Sequence, residues 1–298
     1  MRSRKRLHWF IPVFLAPALV PYVVFFLYPA ARALYISLFE WTGFGTDKKF
    51  VGLANYNRLA IDTVFWRALK NNVFAVVFGG SVVIFLALFF AILLSRLGRH
   101  SNLLKTVIVG PYTLSSVAVA TIWKFLLDPQ LGPINALLRS IGLGNLARPW
   151  LGDLHTVFPA VLVALIWWWL GFYMLILGAA ISRIPSDIYE AAKVDGATEW
   201  QVATRITIPL IWDVLTVVAV LWIIDALRMF ALVWAMTMGG PANASQVLVT
   251  YLYQLAFGGR YALLAMGRAT AIGVVVFALV FAFSAIYRRV ARRETYEY

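Results

Sequence analysis

An all-α integral membrane protein with six transmembrane helices is the fold class this sequence predicts, and three observations predict it. Of 298 residues, 62% are hydrophobic and only 13% are charged, where a soluble domain carries roughly 25% charged residues. Apolar stretches fall at about 9–39, 72–95, 106–127, 156–181, 210–238 and 261–287. Each exceeds the roughly 20 residues that take a helix across a hydrocarbon core about 30 Å thick. Lysine and arginine are also distributed unevenly between the segments that join these stretches.

The first stretch follows Arg2, Arg4, Lys5 and Arg6 and contains prolines at 12, 17, 21 and 29. It is longer than a signal-peptide core and lacks a small-residue cleavage site, so an uncleaved first span with an irregular start is expected. Six spans put both termini on one side. That side carries fourteen basic residues, among them Arg96, Arg99 and Lys105 in one loop, and Arg183, Lys193 and Arg205 in another. The opposite side carries eight. The positive-inside rule then places both termini in the cytoplasm, and the basic skirt draws anionic lipids. A formal charge of +13 on so apolar a chain suits that arrangement better than nucleic-acid binding. With no linker and no soluble segment of useful size, residues 1–298 form a single membrane domain.

The most informative loop is 184–209. Pro185 and Ser186 suit a helix start, with Asp187 and Glu190 placed where the helix dipole favours negative charge. Ala191 and Ala192 keep that helix smooth enough for a close partner. Asp195-Gly196 ends it, since glycine enters the left-handed geometry of a helix end without strain. Thr198 with Gln201 is a capping box for a second helix, which Pro209 closes. Two short helices at a glycine elbow, flanked by membrane-length segments, have the shape of a lever gripped by something else.

Other chemistry is sparse. There is no cysteine, and His8, His100 and His155 lie far apart, so a metal centre is not expected. A membrane-embedded hydrolase would need a nucleophile with a base or metal in reach. An ion-coupled carrier acting alone would need titratable groups along a path, and Asp225 is the one deeply placed carboxylate. Asp225 either pairs with Arg228 three residues on or accepts hydrogen bonds from a solute. Tyr112 and Ser116, four apart, are expected on one face of a continuous third helix. Trp167–Trp169 read as interfacial belt or as packing. No G-x-x-x-x-G-K-[ST] phosphate loop occurs, so nucleotide chemistry lies outside this chain.

Glu190-Ala191-Ala192, Gly196, Ile206 and Pro209 together resemble the EAA signature of permeases of bacterial ABC importers, with Ile208 where leucine is usual. Asp195 and Thr237-Met238-Gly239-Gly240-Pro241 resemble the carbohydrate branch, specifically its maltose-type first permease. Tyr28-Pro29, Gly52-Leu53-Ala54-Asn55-Tyr56, Gly132-Pro133-Ile134-Asn135 and Asp225-Ala226-Leu227-Arg228-Met229-Phe230 extend the likeness over nearly the whole chain. Ala231 departs from it, standing where the family often has aspartate.

The resemblance implies a type I importer permease in the bacterial inner membrane. Its implied partners are a second permease, two ATPase subunits that hold ATP and magnesium, and an external substrate-binding protein. The implied cargo is a carbohydrate, a di- or oligosaccharide in the first instance, with glycerol-phosphate-like solutes as the alternative. It makes Glu190 the residue that meets a basic group in the ATPase cleft. It makes Tyr112, Ser116, Trp168, Phe172 and Met229 candidates to line the cavity beside Asp225, with tryptophan replacing an aliphatic residue at 168 and methionine replacing a polar one at 229.

Overall fold

A computed structural model describes residues 7–97, 102–258 and 264–291. The N-terminal basic cluster, Arg99, Arg260, Arg292, Arg293 and the start of the sixth expected span lie outside the described residues. Among the rest, four helices are long and apolar enough to cross a membrane, and two sharply bent helix pairs raise the number to six if each pair is one span. The described residues divide into two compact units, 1–62 with 252–275, and 63–251 with 276–298.

In the first unit, helix α1 (Val13–Ile36) has none of its apolar window buried within the chain, so lipid or another subunit must cover it. Its end leads into a two-stranded hairpin, Phe39–Glu40 with Lys49–Phe50. The short helix α2 (Ala54–Ala60) fastens the hairpin through Asn55, whose Nδ2 donates to the carbonyls of Ser37 at 2.8 Å and Phe39 at 2.9 Å. Asn55 of the Gly52–Tyr56 motif is thus a clamp for the chain that leaves α1.

The second unit is built around α3 (Thr63–Arg96) and, after α4 (Asn102–Val109), α5 (Ser116–Leu126) and α6 (Pro133–Ser140), the long helix α7 (Val157–Ile181). More than half of the apolar window of α7 is buried. The expected second span starts nine residues too late, because Thr63–Asn72 is already helical and only its polar side chains hid it. Within α3, residues Ala75–Gly79 form a wide π turn, and the buried Trp222 donates its indole N–H to the Ala75 carbonyl at 3.0 Å. A Cβ at Gly80 would lie 2.8 Å from the Trp222 ring, so glycine there admits the indole.

Two expected spans are corrected. The third is not one helix: after Gly110–Thr113 the chain is extended at Leu114 and starts again at Ser116, bent by 104°. Pro111 lacks an N–H, and the Ser115 side chain caps the new helix by accepting from the Ala118 N–H at 3.2 Å. The fifth expected span, 210–238, is not one helix: its long helix is α10 (Trp212–Arg228), which follows α8 (Ser186–Val194) and α9 (Glu199–Leu210). It stops because Asn72, fully buried, donates to the Ala226 carbonyl at 2.7 Å. In a continuing helix that carbonyl would accept from residue 230. A separate turn of helix, α11 (Ala231–Thr237), follows.

Two further helices complete the chain, α12 (Leu248–Phe257), which the sequence reading did not anticipate, and α13 (Met266–Ala291). The loop ahead of α12 carries the Gly-Gly-Pro motif and is held by α3: Arg67 donates to the Ala242 carbonyl, and Asn71 to those of Ala244 and Gln246. Asn72 Oδ1 accepts from the Leu248 N–H at 2.8 Å. The Gly132–Asn135 motif is likewise structural, with Asn135 donating to the Arg148 carbonyl and accepting from the Trp150 indole at 2.8 Å.

Asn72→Ala leaves both the Ala226 carbonyl and the Leu248 N–H without partners, at a cost of about 1–3 kcal/mol for each orphaned group. The expected outcome is a clear fall in the thermal unfolding midpoint of the detergent-solubilised protein. An unchanged midpoint would show that this clamp contributes little.

Candidate functional site

The elbow forms as its capping residues dictate. At the end of α8 the Ala197 N–H donates to the Ala192 carbonyl at 2.9 Å and the Gly196 N–H to the Lys193 carbonyl at 3.2 Å. This pair of bonds is a Schellman closure, and it requires the left-handed φ of +73° that Gly196 adopts. Thr198 and Gln201 then exchange both bonds of a capping box. Residues Val202–Thr207 widen into a π turn in which the Ile208 N–H reaches back to the Ala203 carbonyl. The wide turn makes room for Pro209, which has no N–H for the Arg205 carbonyl. The helix runs one residue past Pro209 to Leu210 and meets α10 at a bend of 74°.

Glu190, Ala191 and Asp195 are exposed, and Ala192 is buried against the rest of the unit. Glu190 makes no ion pair among the described residues. Val194, four residues on along α8, and Trp200, in α9, are 87% and 76% exposed, so the elbow carries exposed apolar side chains as well as a carboxylate without an ion pair. Ile206 is half-buried and lines a small recess inside the elbow with Asp195, Gly196 and Arg205. The elbow is tied back to α3 by an ion pair between Arg96 and Glu199.

A second constellation lies along α7. The Tyr112 ring stacks on Phe172 at a centroid distance of 4.9 Å and tilts against Trp169 at 5.4 Å. Trp168 donates its indole N–H to the Leu114 carbonyl at 3.2 Å, answering a group that the break in the third span leaves free. Tyr112, Trp168 and Phe172 are thus brought together, each half-exposed. Ser116 opens the next helix across the 104° bend, so it does not share a helix face with Tyr112 as the spacing of four suggests. Met229 is buried in the hydrophobic core at the end of α10.

Asp225 has a partner that the sequence reading missed. The Tyr173 hydroxyl donates to its Oδ2 at 2.8 Å, and no ion pair joins it to Arg228, which is exposed. Tyr173 is fully buried and packs between Trp169 and Trp222. Gly171 sets the whole arrangement, because a Cβ there would sit 2.5 Å from the Ile108 carbonyl and 2.6 Å from the Val109 Cα. That close approach seats Tyr112 against Phe172. A lone glycine among aromatic residues was the available signal.

The profile of the family described as "Binding-protein-dependent transport system inner membrane component" matches residues 83–296. The chain belongs to this family. It is therefore a permease component of a binding-protein-dependent transporter, a multi-pass membrane protein. It is 36% identical over 280 residues to the probable ABC transporter permease protein YurN of Bacillus subtilis (strain 168), covering 91% of this chain and 92% of that one. It is 33% identical to the diacetylchitobiose uptake system permease protein NgcF of Streptomyces coelicolor (strain ATCC BAA-471 / A3(2) / M145), covering 93% and 80%. A chain from the crystal structure of a bacterial ABC transporter involved in the import of the acidic polysaccharide alginate superposes with a TM-score of 0.79 at 25% identity. The match covers 97% of this chain and 99% of that one.

Gly196→Val tests the elbow directly. Nothing lies within 4 Å of a Cβ at this position, so the cost is backbone strain of about 1–2 kcal/mol. Amide hydrogen exchange at Gly196–Gln201 is expected to quicken by about tenfold, the rate equivalent of that strain, while exchange along α7 stays unchanged. Equal exchange in both proteins would remove the Schellman closure as the source of the elbow's rigidity.

Proposed function

We propose that this chain is one of two permeases in an ATP-driven importer of a carbohydrate, a di- or oligosaccharide delivered by an external binding protein. ATP binding closes the partner ATPases, and their movement enters through Glu190–Pro209. The cavity beside Tyr112 then turns from the cytoplasm to the outside, receives the sugar, and returns as hydrolysis resets the inward state. Such alternation depends on differential affinity for two packed arrangements.

The observation that carries this reading is the elbow: a Glu190 without an ion pair among the described residues, with Val194 and Trp200 of the same elbow exposed, joined through Gly196 and a wide helical turn to α10. A carboxylate on the same elbow as exposed apolar side chains suits a basic, apolar cleft in a partner. Ala191, Ala192, Asp195 and Ile206 give that hairpin its smooth face and its turn. In this orientation both termini and the elbow face the cytoplasm.

For the cargo, the half-exposed rings of Tyr112, Trp168 and Phe172 offer flat apolar faces to the CH faces of a sugar, and the Tyr112 hydroxyl offers a polar edge. Asp225 Oδ1 accepts no bond among the described residues, which leaves it open to a sugar hydroxyl. Ser116 lies just across the bend. Sugar uptake by a relative such as NgcF supports the same class of cargo.

Reconstitution with the partner subunits tests both halves. Gly196→Pro is expected to let ATP hydrolysis continue while uptake falls at least about tenfold, a loss of about 1.4 kcal/mol of coupling. Uptake at the normal rate would count against the lever. Tyr112→Ala is expected to reduce both sugar-stimulated ATP turnover and uptake with assembly intact. Unchanged values would take the aromatic wall out of the cargo path.

A further inference from the structure

We infer that the second unit holds a site for one anionic phospholipid, built between the elbow and the adjoining ends of α3 and α7. The inference rests on the proposed orientation, in which this end of the unit meets the cytoplasmic leaflet. It is distinct from the general pull of a basic surface on a membrane, because the structure contains a cavity of about 830 Å3 there.

The walls of that cavity change character along its length. Ile92, Leu94, Met174 and Leu175 line the part against the spans, and the backbone of α7 is bare at Gly178, where a Cβ would find nothing within 4 Å. The other end is rimmed by Arg96, Lys105 and Lys193, with Glu199 as the acidic residue. Glu199 is already paired with Arg96. Lys105 and Lys193 make no ion pair among the described residues. The rim therefore presents two uncompensated ammonium groups beside an apolar slot at the last turns of two membrane-length helices.

One class of molecule meets both requirements at that depth. A phosphodiester answers the ammonium groups, and an acyl chain fills the slot along Gly178. Inorganic phosphate answers the first requirement and leaves the apolar wall bare. A neutral lipid does the reverse. The occupant also touches the machinery, since Tyr189, Lys193, Glu199 and Val202 of the elbow face the same cavity. A lipid seated there ties the elbow to α3 and α7 and makes its movement depend on the leaflet.

The test is lipid binding by the detergent-solubilised importer, followed by native mass spectrometry during titration with phosphatidylglycerol, phosphatidylcholine or inorganic phosphate. The unmodified complex is expected to retain phosphatidylglycerol in preference to phosphatidylcholine. Lys105→Gln is expected to weaken phosphatidylglycerol by about fivefold, the worth of one basic residue at an anionic headgroup, and to leave phosphatidylcholine unchanged. Gly178→Leu puts a good helix former where there is space, so the fold is not threatened, and is expected to weaken both lipids. Phosphatidylglycerol binding unaltered by both substitutions would overturn the inference. So would displacement of the lipid by inorganic phosphate, which would mark a free-anion pocket. Uptake by the unmodified importer, assayed in parallel, separates the two readings: if it transports sugar while the variants bind lipid normally, the lipid site alone is lost.

Discussion

A carbonyl freed where a helix breaks in apolar surroundings has no water to accept from, and leaving it bare costs several kcal/mol. At two such places this chain supplies a side-chain donor from a neighbouring segment: Trp168 answers Leu114 at the break in the third span, and Asn72 answers Ala226 near the end of α10. At the wide turn of α3, Trp222 adds a second donor to the Ala75 carbonyl, which already accepts from the Gly80 N–H. These bonds do more than repair damage. Each joins two helices at one fixed height, so the irregular backbone that gives the unit its shape also sets how its helices are registered.

The elbow was legible in the sequence and those breaks were not, for a physical reason. Schellman closures and capping boxes are made by residues three to five apart, so Gly196 and the pair Thr198 and Gln201 announce them without any knowledge of the fold. Whether an apolar stretch stays helical depends on whether a donor arrives from elsewhere. Leu114 and Trp168 are 54 residues apart, and Asn72 and Ala226 are 154 apart. Hydropathy over 106–127 or 210–238 carries no trace of such partners. Two of the apolar stretches are therefore drawn too straight by hydropathy alone.

The aromatic wall shows the same limit. Tyr112, Trp168 and Phe172 were singled out by likeness to a family, and the structure brings them together, but the cluster is completed by Trp169, read from sequence only as belt or packing, and by Tyr173, which went unnoticed. Spacing along one helix suggested Arg228 for Asp225, because residues three apart share a face. The actual partner, Tyr173, comes from α7. A buried phenol on another helix can direct its hydroxyl at Oδ2, while Arg228 turns to the exposed side.

The bend at Ile211 gives this pairing its mechanical consequence. From Trp212, Trp222 lies about 15 Å and Asp225 about 20 Å along α10 at 1.5 Å per residue. Any tilt of α10 driven from the elbow therefore moves both residues together, Asp225 slightly farther. Trp222 is anchored to α3 through the Ala75 carbonyl and Asp225 to α7 through Tyr173. Neither bond can lengthen far without breaking, since a hydrogen bond at 3 Å is weak once stretched by half an ångström. The helix must then either carry α3 and α7 with it as a block or let go of them in turn. Tyr173 also packs against Trp169, which touches Tyr112. In the proposed lever, movement of α10 reaches the aromatic wall through Tyr173, which α10 holds both by the Asp225 bond and by the Trp222 ring.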